Sequence, residues 1–440
     1  MAAHLSAVPR RFTESRSEAV GAGRFFRNAK VTVAAILAAA AAKADRAAAG
    51  RDVLVIQDTT EINYQAKAGR KTGLGKVGNG ADVGLFAHPA IVVDAEDGAL
   101  LGLAAAAIWS RERVKGPDYR LLPIEEKESH RWLDTARSAV EALPSAAGVT
   151  IVADREGDIY EVLARLPGPT THVLVRLCRN RRLAGGGTVR DALAAGSTAG
   201  RVRFDIPARP GRQAREVVAD IRFARLHVVR PKTRSGGADP ASVPVHVVEI
   251  VEVDPPAGAE PIHWELVTSH PVETVADALR IVALYRRRWG IEQVFRTMKS
   301  QILAIEDALL ETREALERLT AATLVVASQV MQLVQGRDQA GAARKAEVVF
   351  DPPQQAPLAA LAQRLDHGRT RKQQNPHPPQ SLAWAAWIIA RLGGWTGYAS
   401  ERPPGPVTMA RGLERFQAIA EGFNLAAQLN TSIKNNVCKR

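Results

Sequence analysis

Two short apolar runs that each finish on an acid constrain this chain more than any other feature. RDVLVIQD (residues 51–58) and VTIVAD (149–154) are continuously hydrophobic and rich in β-branched residues. That pattern, unlike strict alternation, belongs to strands covered on both faces, as in a parallel α/β sheet. Each run delivers an aspartate, Asp58 and Asp154, at its C-terminal end. Taken singly, either one reads as an ordinary turn or helix cap. Taken together they put two carboxylates at one expected sheet edge, where burial costs several kcal/mol each unless a cation or hydrogen bonds compensate it.

The rest of the pattern is mixed. AHPAIVVDA (87–95) and LLGLAAAAIWS (100–110) read as a hairpin joined through Glu96, Asp97 and Gly98. A charged stretch from Ile124 to Leu143 reads as a helix stopped by Pro144 and Gly148. From Thr170 to Asp254 the runs HVLVRL, RVRFDI, EVVADIRFARLHVV and VPVHVVEIVEV alternate between Gly- and Pro-rich turns, as an antiparallel insertion would. IHWELVTS (262–269) is a further strand, and a helical pattern spans Thr274 to Ser300. Beyond it the chain reads as helical, interrupted by a Pro-, Gln- and His-rich stretch from Pro352 to Gln380 that reads as a long exposed loop. GLGKVG (73–78) matches a dinucleotide-site glycine fingerprint, but neither a strand nor a helix pattern flanks it, so it reads as a loop.

With 440 residues, 46% of them hydrophobic, the chain can bury one large core or two to three smaller ones. A net charge of +13 attracts polyanions, and nucleic acid is the first partner to consider, against the bland reading of a basic solubility bias. The two cysteines, Cys178 and Cys438, lie far apart, which argues against a disulfide framework and a thiolate zinc site. The apolar stretch Val31–Ala42 is too short and too Ala-rich for a signal peptide or a membrane span, so the expected location is a reducing cytoplasm.

The segment LYRRRWGIEQVFRTMK carries the most specific signal. Read as one helix, at roughly 100° per residue, it places Arg288, Glu292 and Lys299 about −60°, −20° and −40° from Tyr285, on one narrow stripe. Leu284, Ile291, Val294, Phe295 and Met298 fall on a separate packing arc. A solvated helix face could produce the same stripe. Joined to Asp58 and Asp154, however, Glu292 completes a set of hard oxygen ligands suited to Mg²⁺ or Mn²⁺. Two such ions can activate an attacking oxygen and stabilise a leaving one in phosphodiester chemistry.

At these residues the chain resembles the insertion-sequence DDE transposases of the IS-four group, specifically the Tn-five-like branch. The resemblance rests on IQDTTEINY around Asp58, VADREGDIYEVL around Asp154, and Tyr285, Arg288, Glu292 and Lys299 in the family's spacing. RFFRNAKVT and GGWTGYASERPPGP also resemble that family's flanking regions. The resemblance implies an α/β, RNase H-like catalytic core, an antiparallel β insertion between the second Asp and the Glu, and helical N- and C-terminal regions. The implied division is residues 1–50 (a shortened DNA-binding region), 51–165 and 262–335 (core), 166–261 (insertion) and 336–440 (helical, dimerising).

The resemblance also implies roles. Asp58, Asp154 and Glu292 would hold two Mg²⁺ or Mn²⁺ ions, while Tyr285, Arg288 and Lys299 would grip phosphates of double-stranded DNA, at transposon ends and at the target. Trp264, 21 residues before Tyr285 (285 − 264), would stack on a flipped base, or else is a core indole. Arg176, Arg179, Arg181 and Arg182 are candidates for backbone contacts, or else form a solvated basic loop. A homodimer on DNA is expected and a membrane partner is not. Two other readings compete. One is an inhibitory, catalytically silent relic that binds DNA or partner subunits. The other is a glycosidase using two of the carboxylates, disfavoured by the basic surface and an aromatic content of only 5%.

Overall fold

The computed structural model describes residues 16–78, 80–111, 117–206, 213–232, 239–300, 302–398 and 400–437. In chain order its strands are β1 (Asp52–Gln57), β2 (Thr60–Asn63), β3 (Gly75–Val77), β4 (Asp82–Asp94), β5 (Leu100–Trp109), β6 (Gly148–Ala153), β7 (Thr171–Arg176), β8 (Gly200–Ile206), β9 (Arg215–Val229), β10 (Ser242–Glu252) and β11 (His263–Thr268). Its helices are α1 (Arg16–Arg27), α2 (Val33–Ala48), α3 (Arg131–Glu141), α4 (Tyr160–Arg165), α5 (Val189–Ala195), α6 (Val275–Arg286), α7 (Trp289–Lys299), α8 (Arg313–Gln335), α9 (Gln339–Ala342), α10 (Pro352–Asp366), α11 (Leu382–Leu392) and α12 (Pro406–Val437). The chain divides into two compact units, one of residues 50–58 and 114–289, the other of residues 1–49, 59–113 and 290–440.

The first unit is a mixed sheet. β1 pairs in parallel with β6, and β6 in parallel with β7, so the two runs ending in acids are neighbours. Both are buried on both faces over nearly their whole length, as continuous apolar runs require. From β7 the sheet continues antiparallel through β11, β10, β9 and β8. This differs from the expectation for residues 166–261. The run HVLVRL is a parallel strand of the sheet, and the antiparallel strands extend that sheet beyond β11. A half-buried six-residue strand shows the same local alternation in either setting, so its pairing partner could not be read from pattern alone. The helix expected from Ile124 starts only at Arg131. Extended backbone at Lys127 separates two short 3₁₀ turns ahead of it. A capping box between Thr274 and Asp277 sets the start of α6.

The second unit is helical around a small sheet. β4 and β5 form the expected hairpin, with register shifts at Ala90/Ile91 and Val92/Val93, and β2 and β3 pair with β4. GLGKVG supplies the short strand β3. α2 lies close on β5, where a Cβ on Gly102 would come 3.0 Å from the Cβ of Ala44. Gln332 and Gln335 of α8 bond the backbone of Leu101 and Leu100, tying helix to strand. The stretch expected as a loop from Pro352 begins instead with α10. Pro352 and Pro353 fall in the first turn, where a missing N–H costs nothing, behind an Asp351–Gln354 capping box, and Pro357 lies within the helix. Among the described residues no helix is long and apolar enough to cross a membrane.

Candidate functional site

The register of two strands places the first two acids. Ile56 stands level with Val152. Two residues on from each are Asp58 and Asp154, so strands about 4.8 Å apart present two half-buried carboxylates at the same end of the sheet.

Each aspartate is also anchored. Asp58 Oδ2 accepts a hydrogen bond from Nη1 of Arg288 at 2.9 Å, in a largely enclosed ion pair. Asp154 accepts from the backbone N–H of Glu156 at 2.8 Å and so caps the turn Arg155–Gly157. The capping role and a metal-facing role are thus compatible in one residue. The turn is packed closely enough to require Gly157, where an added Cβ would lie 2.4 Å from that of Ala153.

Positive charge gathers around this edge. Burial lowers the pKa of Arg176, with the charges of Arg155 and Arg288 acting in the same direction. Arg176 donates to the carbonyl of His263 at 2.8 Å. Tyr285 is 6% exposed, and burial raises its phenol pKa, while Arg288 and Arg176 pull it back down. Its ring meets that of Trp264 edge to face at 6.0 Å, and Trp264 also lies 5.8 Å from Phe204. Trp264 is therefore a half-buried indole in contact with two other rings.

Arg181 is where structure and expectation part. Its side chain is buried against Asp158, whose carboxylate is enclosed: Arg181 Nε and Nη2 donate to Asp158 Oδ1 at 2.8 and 2.6 Å. Asp158 Oδ2 takes the N–H groups of Cys178 and Arg179. A guanidinium spent in this way presents nothing to a phosphate, whereas Arg179 and Arg182 beside it are exposed. Asp158 escaped sequence reading although it lies in VADREGDIY, because nothing in the sequence names its buried partner.

The single helical stripe is also broken. Arg287 and Arg288 donate to Leu284 and Tyr285, three residues back, so α6 closes in a tightened turn and α7 begins anew at Trp289. Tyr285 stays on α6 and Arg288 falls in the break. Glu292 and Lys299, both half-buried, share α7 seven residues apart, about 20° from alignment.

Elsewhere in the first unit, Glu249, His263 and Glu265 bring donor atoms within 4.8 Å of one another on β10 and β11. The cluster is already neutralised: Arg222 and His263 engage Glu249, and Arg190 forks onto Glu265 at 2.7 and 2.8 Å.

One solved structure similar to this chain is a cryo-EM structure of the piggyBac transposase synaptic complex with hairpin DNA, at 6% sequence identity and a TM-score of 0.35, over 64% of this chain. This chain covers 47% of that one. In sequence, residues 126–327, which hold Asp154, Tyr285, Arg288, Glu292 and Lys299 but not Asp58, match the family model of the transposase DDE domain.

Proposed function

We propose that this chain is a DDE transposase that cleaves DNA and joins strands by phosphoryl transfer at Asp58, Asp154 and Glu292, on an RNase H-like core. The observation that carries the reading is the alignment of Asp58 with Asp154 at the ends of two paired parallel strands, within a chain whose residues 126–327 match a transposase DDE domain. Glu292 enters as the third carboxylate on the strength of its spacing from Tyr285, Arg288 and Lys299.

The donor set fits divalent magnesium or manganese. Two half-buried carboxylates at neighbouring strand ends, of which Asp58 is paired with the Arg288 guanidinium, form a hard oxygen donor set. Asp58, Asp154 and Glu292 would hold two such ions, which when bound supply Lewis acidity at the scissile phosphate. The residues of the chain do the rest. The turn capped by Asp154 fixes its carboxylate, Arg288 holds Asp58 in place, and Tyr285, Arg288 and Lys299 bind DNA phosphates. Arg176 adds positive charge at the same edge, and Trp264 supplies the indole on which an unpaired base stacks, as a hairpin intermediate would require. The substrates are double-stranded transposon ends and target DNA. The exposed Ile419, Phe423, Leu425 and Leu429 of α12 support pairing with a second copy.

Purified protein incubated with a fragment carrying its own gene and flanking DNA should nick that fragment only with Mg²⁺ or Mn²⁺. Glu292→Ala should abolish the nicking while leaving DNA binding intact. Cleavage that persists in EDTA, or in Glu292→Ala, would rule this function out.

A further inference from the structure

The segment GGWTGYASERPPGP takes no part in the chemistry above, yet it is tightly built. Gly394 and Gly397 hold left-handed backbone at φ +96° and +86°. A Cβ on Gly397 would lie 2.8 Å from a nitrogen of Arg391, and one on Gly393 would lie 2.0 Å from the carbonyl oxygen of Thr408. Trp395 N–H bonds the carbonyl of Ala390, and Glu401 takes both the N–H and the hydroxyl of Thr396.

This segment closes a cavity of about 500 Å³ whose walls include Trp387, Trp395, Tyr398, His377, Arg337 and Arg371. Two of the chain's seven tryptophans and one of its five tyrosines thus meet in one place, in a chain only 5% aromatic. Arg391 lies 5.4 Å over the Trp387 ring. Trp395 Nε1 and Arg337 Nε are buried N–H donors with no acceptor among the described residues, and such a donor costs about 1–3 kcal/mol if nothing satisfies it. Of the two acids on the wall, Glu401 is engaged by Thr396, while Asp338 lies 3.7 Å from Arg337 Nε, too far for a hydrogen bond.

Flat aromatic walls, unmatched N–H donors and guanidinium groups are together complementary to a planar ring bearing carbonyl acceptors and attached to a phosphate. We propose that this cavity is a second nucleic-acid subsite that takes one unpaired base of a DNA strand on its Trp and Tyr walls, with Arg337 and Arg371 meeting base oxygens and the adjoining phosphate. The inference rests on the reading of the chain as a DNA-processing enzyme.

The test uses the full chain in EDTA with a short thymidine single strand carrying one 2-aminopurine. Stacking in the cavity quenches the probe. Tyr398→Ala, at an exposed position, should remove most of the quenching and weaken single-strand binding by roughly 5- to 150-fold, the range for one lost stacking partner. Arg371→Ala should weaken binding and flatten its salt dependence. Both variants should keep the parent's affinity for blunt duplex and its unfolding midpoint. An unquenched probe, variants that bind the single strand as tightly as the parent, or a proline-rich peptide that binds while the oligonucleotide does not would each overturn the proposal. Because the assay omits divalent metal, a chain that quenches the probe but never nicks DNA refutes the phosphoryl-transfer reading alone. A chain that nicks without quenching refutes this subsite alone.

Discussion

Nη1 of Arg288 stands 2.9 Å from Oδ2 of Asp58, and both side chains are more than four-fifths enclosed. In the absence of a divalent cation this guanidinium compensates a carboxylate that already stands level with Asp154. Arg288→Ala should therefore lower stability by an amount on the order of 1–3 kcal/mol, less than for a fully buried pair because some solvent reaches it. Mn²⁺ should raise the thermal midpoint of the variant more than that of the parent. Equal shifts in the two proteins would mean that no ion competes with Arg288 for Asp58.

Asp154→Asn keeps an oxygen to accept from Glu156 N–H and removes one of two like charges at the strand ends. Unfolding stability should stay level or rise by up to about 1 kcal/mol, while metal-dependent nicking falls at least about 100-fold. Thermal melts and a nicking time course on the same preparation check both. A variant that is destabilised and still active would contradict the assignment.

The pair between Asp158 and Arg181 makes the opposite kind of prediction. Arg181→Ala leaves an enclosed carboxylate without its counter-charge and should cost about 3–5 kcal/mol of stability. The salt slope of DNA binding should not change, since Arg181 neutralises no phosphate, whereas Arg182→Ala should reduce that slope by a fraction approaching one ion. Denaturant titration and salt-dependent anisotropy measure the two effects separately.

Burial pushes His270 down to about 3, with the charges of His172, stacked 3.8 Å away, and Arg280 acting in the same direction. Above the ordinary histidine value of 6.5 both folded and unfolded chains carry it neutral, and the stability is fully present. As pH falls below that value the unfolded chain takes up a proton that the folded chain refuses until about pH 3, so stability is lost across this window. The slope is up to about 1.4 kcal/mol per pH unit. Urea midpoints from pH 7 to 4 should fall in the parent and fall less steeply in His270→Gln. Parallel curves would show that another group dominates.

The two strands that end in acids were legible because a run buried on both faces leaves no polar alternation to confuse it, and both Asp58 and Asp154 stand where the runs placed them. The hairpin was legible from Glu96, Asp97 and Gly98. The parallel pairing of β7 was not, since strand partnership is decided by contacts distant in the chain. Nor was the break at Arg287–Arg288: both are good helix formers, and only the three-residue hydrogen bonds show that the turn tightens. Arg181 misled for the same reason as β7. A basic residue in a loop looks solvated until its partner, Asp158, is found 23 positions earlier.

The threading of the chain bears on how it can be made. Residues 114–289 are nearly continuous, borrowing only 50–58, and could begin to order as they leave the ribosome. The other unit draws on three separated stretches, and α2 and β5 must wait more than 200 residues for α8 to be synthesised. Until then the side of β5 and α2 that packs on α8 lacks its cover. Translation halted anywhere before Arg313 should thus release a product that chaperones or proteases recognise, a built-in penalty on incomplete copies.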